Sequence, residues 1–303
     1  MVNIIQTELS VLVAEDSEFF IIRMSTMLEE YLPNMNLDKV FNLKELPDKL
    51  AQKRYDVLIL DLLFPSGSSL DLLPDLCKEY PDLIVIIASG QSKIRVALNA
   101  MNAGANYYVV KDEGFESDLV VALRNADHQI RTRRNLERMI SNIFDQSLYP
   151  MMVLKASDVG IEEVFRDFDH FPENLSNEDI FIEKIGLSLL VGIGQGAEYH
   201  TGIYQFPAAQ SKSYSLIDFA FQLIDESATD PRLKTGYFHL VLFIPNSVKT
   251  LFPPINELES FYHDLTSTLN TASDLTGQHL AILKSDLFYE LKEIARSRSK
   301  AQL

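Results

Sequence analysis

Val57-Leu58-Ile59-Leu60-Asp61 is a run of four aliphatic side chains that ends on a carboxylate, with Pro65 and Gly67 close behind it. A short continuous apolar run closed by turn formers reads as a strand buried on both faces, with Asp61 at its carboxyl end. Working outward from this strand at 56–60, similar β-rich runs recur at 11–14, 37–41, 83–88 and 107–110. Amphipathic segments separate them at 19–31, 43–53, 70–80 and 94–103, and a further helix begins after Gly114. Strict alternation of β and α predicts a five-stranded, doubly wound parallel sheet with helices on both faces, an α/β domain.

In such sheets, ligands bind beyond the carboxyl ends of the strands. The residues at those ends are Glu15 and Asp16 after the first strand, Asp61 after the third, Ser89 after the fourth and Lys111 after the fifth. Three carboxylates, a hydroxyl and an ammonium are therefore expected to converge. Without a cation the carboxylates would repel one another and their pKa values would rise. Magnesium prefers oxygen ligands, commonly one or two carboxylates completed by waters and phosphate oxygens, and is the cation this set suits. Taken singly, an Asp at a strand end is usually a cap or a loop residue, so the weight lies in the combination.

The combination resembles the receiver domain of two-component response regulators, over roughly residues 8–130. Val11-Leu12-Val13-Ala14-Glu15-Asp16 resembles the first strand with its acidic pair, and the Asp61 strand with Pro65 and Gly67 resembles the phosphoacceptor loop. Ile86-Ile87-Ala88-Ser89-Gly90 is similar to the switch-hydroxyl segment, and Gly104-Ala105-Asn106-Tyr107-Tyr108-Val109-Val110-Lys111 to the last strand with its aromatic switch and lysine. The resemblance implies a flavodoxin-like fold in which Asp61 is the nucleophile toward a phosphohistidine or small phosphodonor. It also implies that Glu15, Asp16, Asp61 and the backbone carbonyl of Leu63 hold Mg2+. Lys111 and Ser89 would contact the phosphoryl oxygens, and Ser89 and Tyr108 would form the switch that reshapes the face of the fourth helix, fifth strand and fifth helix. A sensor histidine kinase or phosphotransfer protein is the implied partner. Asp112 stands where many receivers have proline, so the loop need not contain a cis peptide. Leu63 has no polar side-chain group to orient an attacking water, which predicts slow self-dephosphorylation.

From Gly114 to Pro150 helical spacing persists without Gly or Pro, predicting a fifth helix that continues as a linker over 131–147. Its Arg-rich stretch 131–138 reads as a solvated face or docking patch, and the apolar line beside it would suit a homodimeric coiled coil or packing within the chain equally well. Beyond it, strands are expected at 151–155, 163–168, 199–206, 213–224 and 236–244, and helices at 177–191, 255–271 and 285–298. The order β-β-α-β-β-β-α-α requires an antiparallel meander, an α+β domain over 148–303. By topology alone it resembles the longin fold and, more loosely, roadblock-like and profilin-like domains. That resemblance implies an output by protein binding, with small GTPases or trafficking-like factors as the partner class.

Several motifs lack the context their chemistry needs. Gly192, Gly194 and Gly196 follow a predicted helix and not a strand, so they read as a helix end and not a phosphate loop. His200 and His239 could meet across strands, but no Asp, Glu or Cys stands at metal-ligand spacing from them. Phe219, Phe221, Tyr237, Phe238 and Phe243 read as sheet core.

The net charge of −16 disfavours nucleic-acid binding, and the single cysteine, Cys77, suits a core thiol in a reducing compartment. No basic flank precedes an apolar run near Met1, and the longest apolar stretch, 185–193, is short of the ~20 residues that span a bilayer. The reading is a cytoplasmic, non-enzymatic, phosphorylation-dependent response regulator without a membrane span. Its alternatives are a DNA-binding transcription regulator and a regulator with an enzymatic output domain.

Overall fold

The structure, a computed structural model, describes residues 8–31, 35–157, 160–169, 200–207, 213–228 and 234–300. The chain divides into two compact units, Met1–Leu136 and Glu137–Leu303.

In the first unit β1 (Ser10–Ala14), α1 (Glu18–Tyr31), β2 (Asn36–Val40), α2 (Leu46–Gln52) and β3 (Val57–Asp61) follow one another, then a short hairpin of β4 (Leu63–Phe64) and β5 (Gly67–Ser68). The chain continues through α3 (Leu73–Glu79), β6 (Ile84–Ser89), α4 (Ile94–Asn102), β7 (Tyr107–Val110) and α5 (Phe115–Ile143). The sheet order is β2-β1-β3-β6-β7, with every neighbouring pair parallel, as the alternation predicted. β3 and β6 are buried along their whole length, which is why their sequences are continuous apolar runs and not alternating ones.

Side chains alternate between the two faces. Val11, Val13, Val57, Ile59 and Ile86 pack with Ile21, Leu28, Leu119 and Leu123 of α1 and α5 on one face. Leu12, Leu58, Leu60, Val85 and Ile87 pack with Leu50, Leu76 and Ala100 of α2, α3 and α4 on the other. Each such aliphatic side chain contributes about 1.5–3 kcal/mol by leaving water. The α4–β7 turn needs glycine at 104, where φ is +115° and a Cβ would lie 2.8 Å from Cys77 Sγ. Cys77 itself is partly buried against the core, and burial raises its pKa, in keeping with a packing thiol.

Within the arginine run, Arg131 and Arg138 are exposed as expected of a solvated face, while Arg133 and Arg134 are only partly so. Arg134 bonds Asp56 at 2.7 Å and the Glu8 carbonyl at 3.2 Å, and Arg133 donates to the Asp82 carbonyl at 2.8 Å. These acceptors lie just before β3, β1 and β6, so two arginines of α5 tie it to the amino-terminal ends of three strands. The sequence pattern could not reveal this because the partners are 51 to 126 residues away.

The second unit has β8 (Met151–Ser157), β9 (Gly160–Arg166), β10 (Gly202–Pro207), β11 (Tyr214–Ile224), β12 (Thr235–Pro245), α6 (Glu259–Thr268) and α7 (Gly277–Lys300). Its sheet is antiparallel throughout, in the order β10-β11-β12-β8-β9, and contains the expected meander. The expected helix at 177–191 and the glycines at 192, 194 and 196 lie outside the described residues. α7 begins eight residues before the expected 285, because Thr276 Oγ1 accepts the His279 N–H at 3.2 Å and caps the extra turns. Phe219, Phe221, Phe238 and Phe243 are buried as expected, while Tyr237 is only partly so. Among the described residues no helix is long and apolar enough to cross a membrane.

Candidate functional site

β1, β3, β6 and β7 all point their carboxyl ends to one edge of the first sheet, and the chemistry-bearing residues follow from that parallel register. Glu15 closes β1, with its backbone N–H donating to Val40 at 3.1 Å and its side chain 2% exposed. Asp16 follows it and is exposed. Asp61 is the last residue of β3 and is buried. One carboxylate oxygen from each of Glu15, Asp16 and Asp61 lies within 4.8 Å of the other two.

Lys111, just past β7, enters this cluster. Its Nζ donates to Glu15 Oε2 at 2.5 Å and pairs with Asp61 Oδ2 at 2.9 Å. The ammonium thus neutralises part of the charge that convergence creates. Burial nonetheless pushes the Glu15 carboxyl above its ordinary 4.5, the Asp61 charge adds to the rise, and the bond to Lys111 opposes it. The donor set is oxygen only, which fits a hard divalent cation and not the nitrogen- and sulfur-seeking transition metals.

Leu63 stands beside the cluster, its backbone N–H reaching Asp61 Oδ1 at 3.4 Å and its side chain 50% exposed. Ser89 ends β6 and is buried, with its hydroxyl accepting the Gln91 N–H at 3.2 Å. The Tyr108 hydroxyl donates to the Gln91 carbonyl at 2.7 Å. Ser89 and Tyr108 therefore meet through Gln91, a connection absent from the sequence reading. Asp112, in place of proline, accepts the Gly114 N–H at 2.8 Å and shapes the turn into α5; no cis peptide occurs among the described residues.

Two further residues escaped the sequence reading. Ser69, fully buried, donates its hydroxyl to the Asp61 carbonyl at 2.6 Å and fixes the backbone that carries the carboxylate. Phe20 lays its ring 4.5 Å from the Lys111 ammonium. Neither carries a sequence signal, since a serine after a turn and an aromatic in a helix are both commonplace.

In the second unit, His239 does not meet His200. Its Nδ1 lies 3.0 Å from Asp218 Oδ2 on the neighbouring strand, both residues are buried, and burial raises the Asp218 pKa against the opposing pull of His239. An acidic partner exists after all, set by strand pairing and not by sequence spacing.

Removing the crowded charge at Glu15 should show its cost. A carboxyl whose folded pKa is raised contributes stability in its protonated form, present below 4.5 and lost as pH rises through the raised value. Glu15→Gln is therefore expected to melt at a higher temperature than wild type at pH 7 without divalent cations. The gap should close as pH falls toward 4.5, in calorimetric scans across pH.

Residues 11–124 match the family model described as response regulator receiver domain. The chain is 38% identical over 64 residues to the DNA-binding transcriptional activator DevR/DosR of Mycobacterium tuberculosis, a match covering 21% of this chain and 30% of that protein. It is 32% identical over 108 residues to the response regulator protein PilR of Pseudomonas aeruginosa, covering 33% of this chain and 24% of that protein. The chain thus spans less than a third of the length of either relative. Among solved structures it is similar to a response regulator receiver domain protein from Clostridium thermocellum, 26% identical over 42% of this chain and 98% of that one, with a TM-score of 0.37. The segment 11–124 is a two-component response regulator receiver domain.

Proposed function

We propose that this chain is a phosphorylation-dependent response regulator in which Asp61 accepts a phosphoryl group and the second unit passes the change on by binding a protein. The observation that carries the reading is Lys111 held between Glu15 and Asp61, beside an oxygen-only cluster that includes Asp16.

An Asp61 carboxylate oxygen would attack phosphorus in a phosphohistidine or acetyl phosphate, forming an acyl phosphate as the bond to the donor nitrogen or oxygen breaks. The leaving group departs with the electron pair. Mg2+, held by Glu15, Asp16, Asp61 and the Leu63 carbonyl, would supply charge neutralisation for the transferring group. Lys111 would pair with the phosphoryl oxygens, and Ser69 would keep the Asp61 backbone in place. The Ser89 hydroxyl would turn from the Gln91 N–H toward the new oxygens. Because Gln91 also holds Tyr108, that movement would reach the aromatic switch.

For the output, the element order supports a longin-like domain that docks a protein, with small GTPases or trafficking-like factors as the partner class. The upstream partner is a sensor histidine kinase or phosphotransfer protein, and the setting is cytoplasmic. A second reading, DNA binding, takes support from the name of the M. tuberculosis relative, and the net charge of −16 weighs against it. Retention on duplex DNA at rising salt separates the two.

The test of the first reading is intact mass after incubation with Mg2+ and acetyl phosphate. Wild type should gain one phosphoryl group, Asp61→Asn should not, and the label should decay slowly once the donor is removed, since Leu63 cannot orient water. No gain in wild type sinks the reading.

A further inference from the structure

Lys111 has three N–H donors, and two are committed, to Glu15 at 2.5 Å and to Asp61 at 2.9 Å. What else holds the ammonium is the face of Phe20, whose centroid lies 4.5 Å from Nζ. That ring is itself fixed. Phe115, fully buried at the start of α5, packs edge-on against it at 5.2 Å and 70°. The Phe20 N–H donates to Ser17 Oγ at 3.3 Å, and the Arg23 guanidinium, paired with Glu116, lies 6.0 Å from the ring centroid.

An aromatic face attracts a cation through its quadrupole without taking up an N–H in a directed bond. It can therefore hold an ammonium in place while leaving its donors to oxygen acceptors. Lysine has four rotatable carbons and a compact charge, so its placement depends on what surrounds it. Carboxylates alone would fix Lys111 by bonds that must be exchanged when phosphoryl oxygens arrive; a ring face stays attractive through the exchange.

We infer that Phe20 is a positioning residue for Lys111: its ring, clamped by Phe115, holds the ammonium over Asp61 and speeds phosphoryl uptake there. The inference rests on the phosphorylation reading above. A packing role alone would ask only for apolar bulk joining α1 to α5, and leucine would serve it.

The experiment compares wild type, Phe20→Leu and Phe20→Tyr in the full chain. Acetyl phosphate and Mg2+ give the rate of phosphorylation by intact mass, thermal melts report folding, and 13C-lysine NMR follows the Lys111 ε-methylene, identified by its loss in Lys111→Arg. In wild type and Phe20→Tyr that signal should be shifted upfield by the ring, and Phe20→Leu should lose the shift. Phe20→Leu should react about five- to tenfold more slowly, with Phe20→Tyr within about twofold of wild type at similar melting temperatures. Equal rates for Phe20→Leu and wild type overturn the inference, as does a Phe20→Tyr variant as slow as Phe20→Leu. If wild type takes up no phosphoryl group while its ring-shifted signal is present, the phosphorylation reading fails and this inference fails with it.

Discussion

Lys111→Met is expected to slow phosphorylation by acetyl phosphate about 10²-fold, the range seen when a single preorganised charge or donor is removed from a reacting centre. The lysine bonds Glu15 at 2.5 Å and Asp61 at 2.9 Å, and its side chain is 10% exposed. Methionine keeps most of the unbranched apolar stem but brings no charge, so two buried carboxylates lose their fixed counter-ion. That loss has a second consequence. The metal-free variant should unfold more easily than wild type at neutral pH, and added Mg2+ should restore more stability to the variant than to wild type. Stopped incubations with acetyl phosphate give the rate, and melts with and without Mg2+ give the linkage. A variant that reacts at the wild-type rate would remove Lys111 from the chemistry.

The largest stability effect is expected in the second unit. Asp218→Ala leaves His239 Nδ1 without its carboxylate inside the sheet, while His239 Nε2 already has no hydrogen-bond partner among the described residues. Leaving a buried imidazole N–H without its acceptor costs about 1–3 kcal/mol, whereas replacing both partners with apolar groups of similar shape can be nearly neutral. Chemical denaturation should therefore show Asp218→Ala clearly destabilised and the double variant Asp218→Leu/His239→Phe close to wild type. Equal losses in both would mean the pair itself, and not the stranded partner, supplies the stability.

The first unit was legible because its signals are local. Apolar runs such as 57–60 report double-sided burial by themselves, and parallel winding then dictates which residues gather at one edge. Glu15, Asp16, Asp61, Ser89 and Lys111 could be placed from strand ends alone. What the sequence hid are contacts that no period or spacing encodes. Phe20 meets Lys111 across 91 positions, Arg134 meets Asp56 across 78, and Asp218 meets His239 only because β11 and β12 pair in one register. Gln91 was missed for a different reason. It acts through its backbone, which any residue could supply. The second unit's strands were readable from their length and aromatic content, but its output is not a property of topology, since one sheet order can serve many partners.

The central claim is that Asp61 is the phosphoacceptor, and its most direct test is chemical mapping of the modified residue. Protein treated with acetyl phosphate and Mg2+ would be reduced with borohydride, which converts an acyl phosphate to an alcohol, then digested and sequenced by mass spectrometry. The account predicts reduction at Asp61 alone, dependent on both Mg2+ and the phosphodonor. Reduction at a different carboxylate, or none at Asp61 under conditions that label a known receiver, would contradict it.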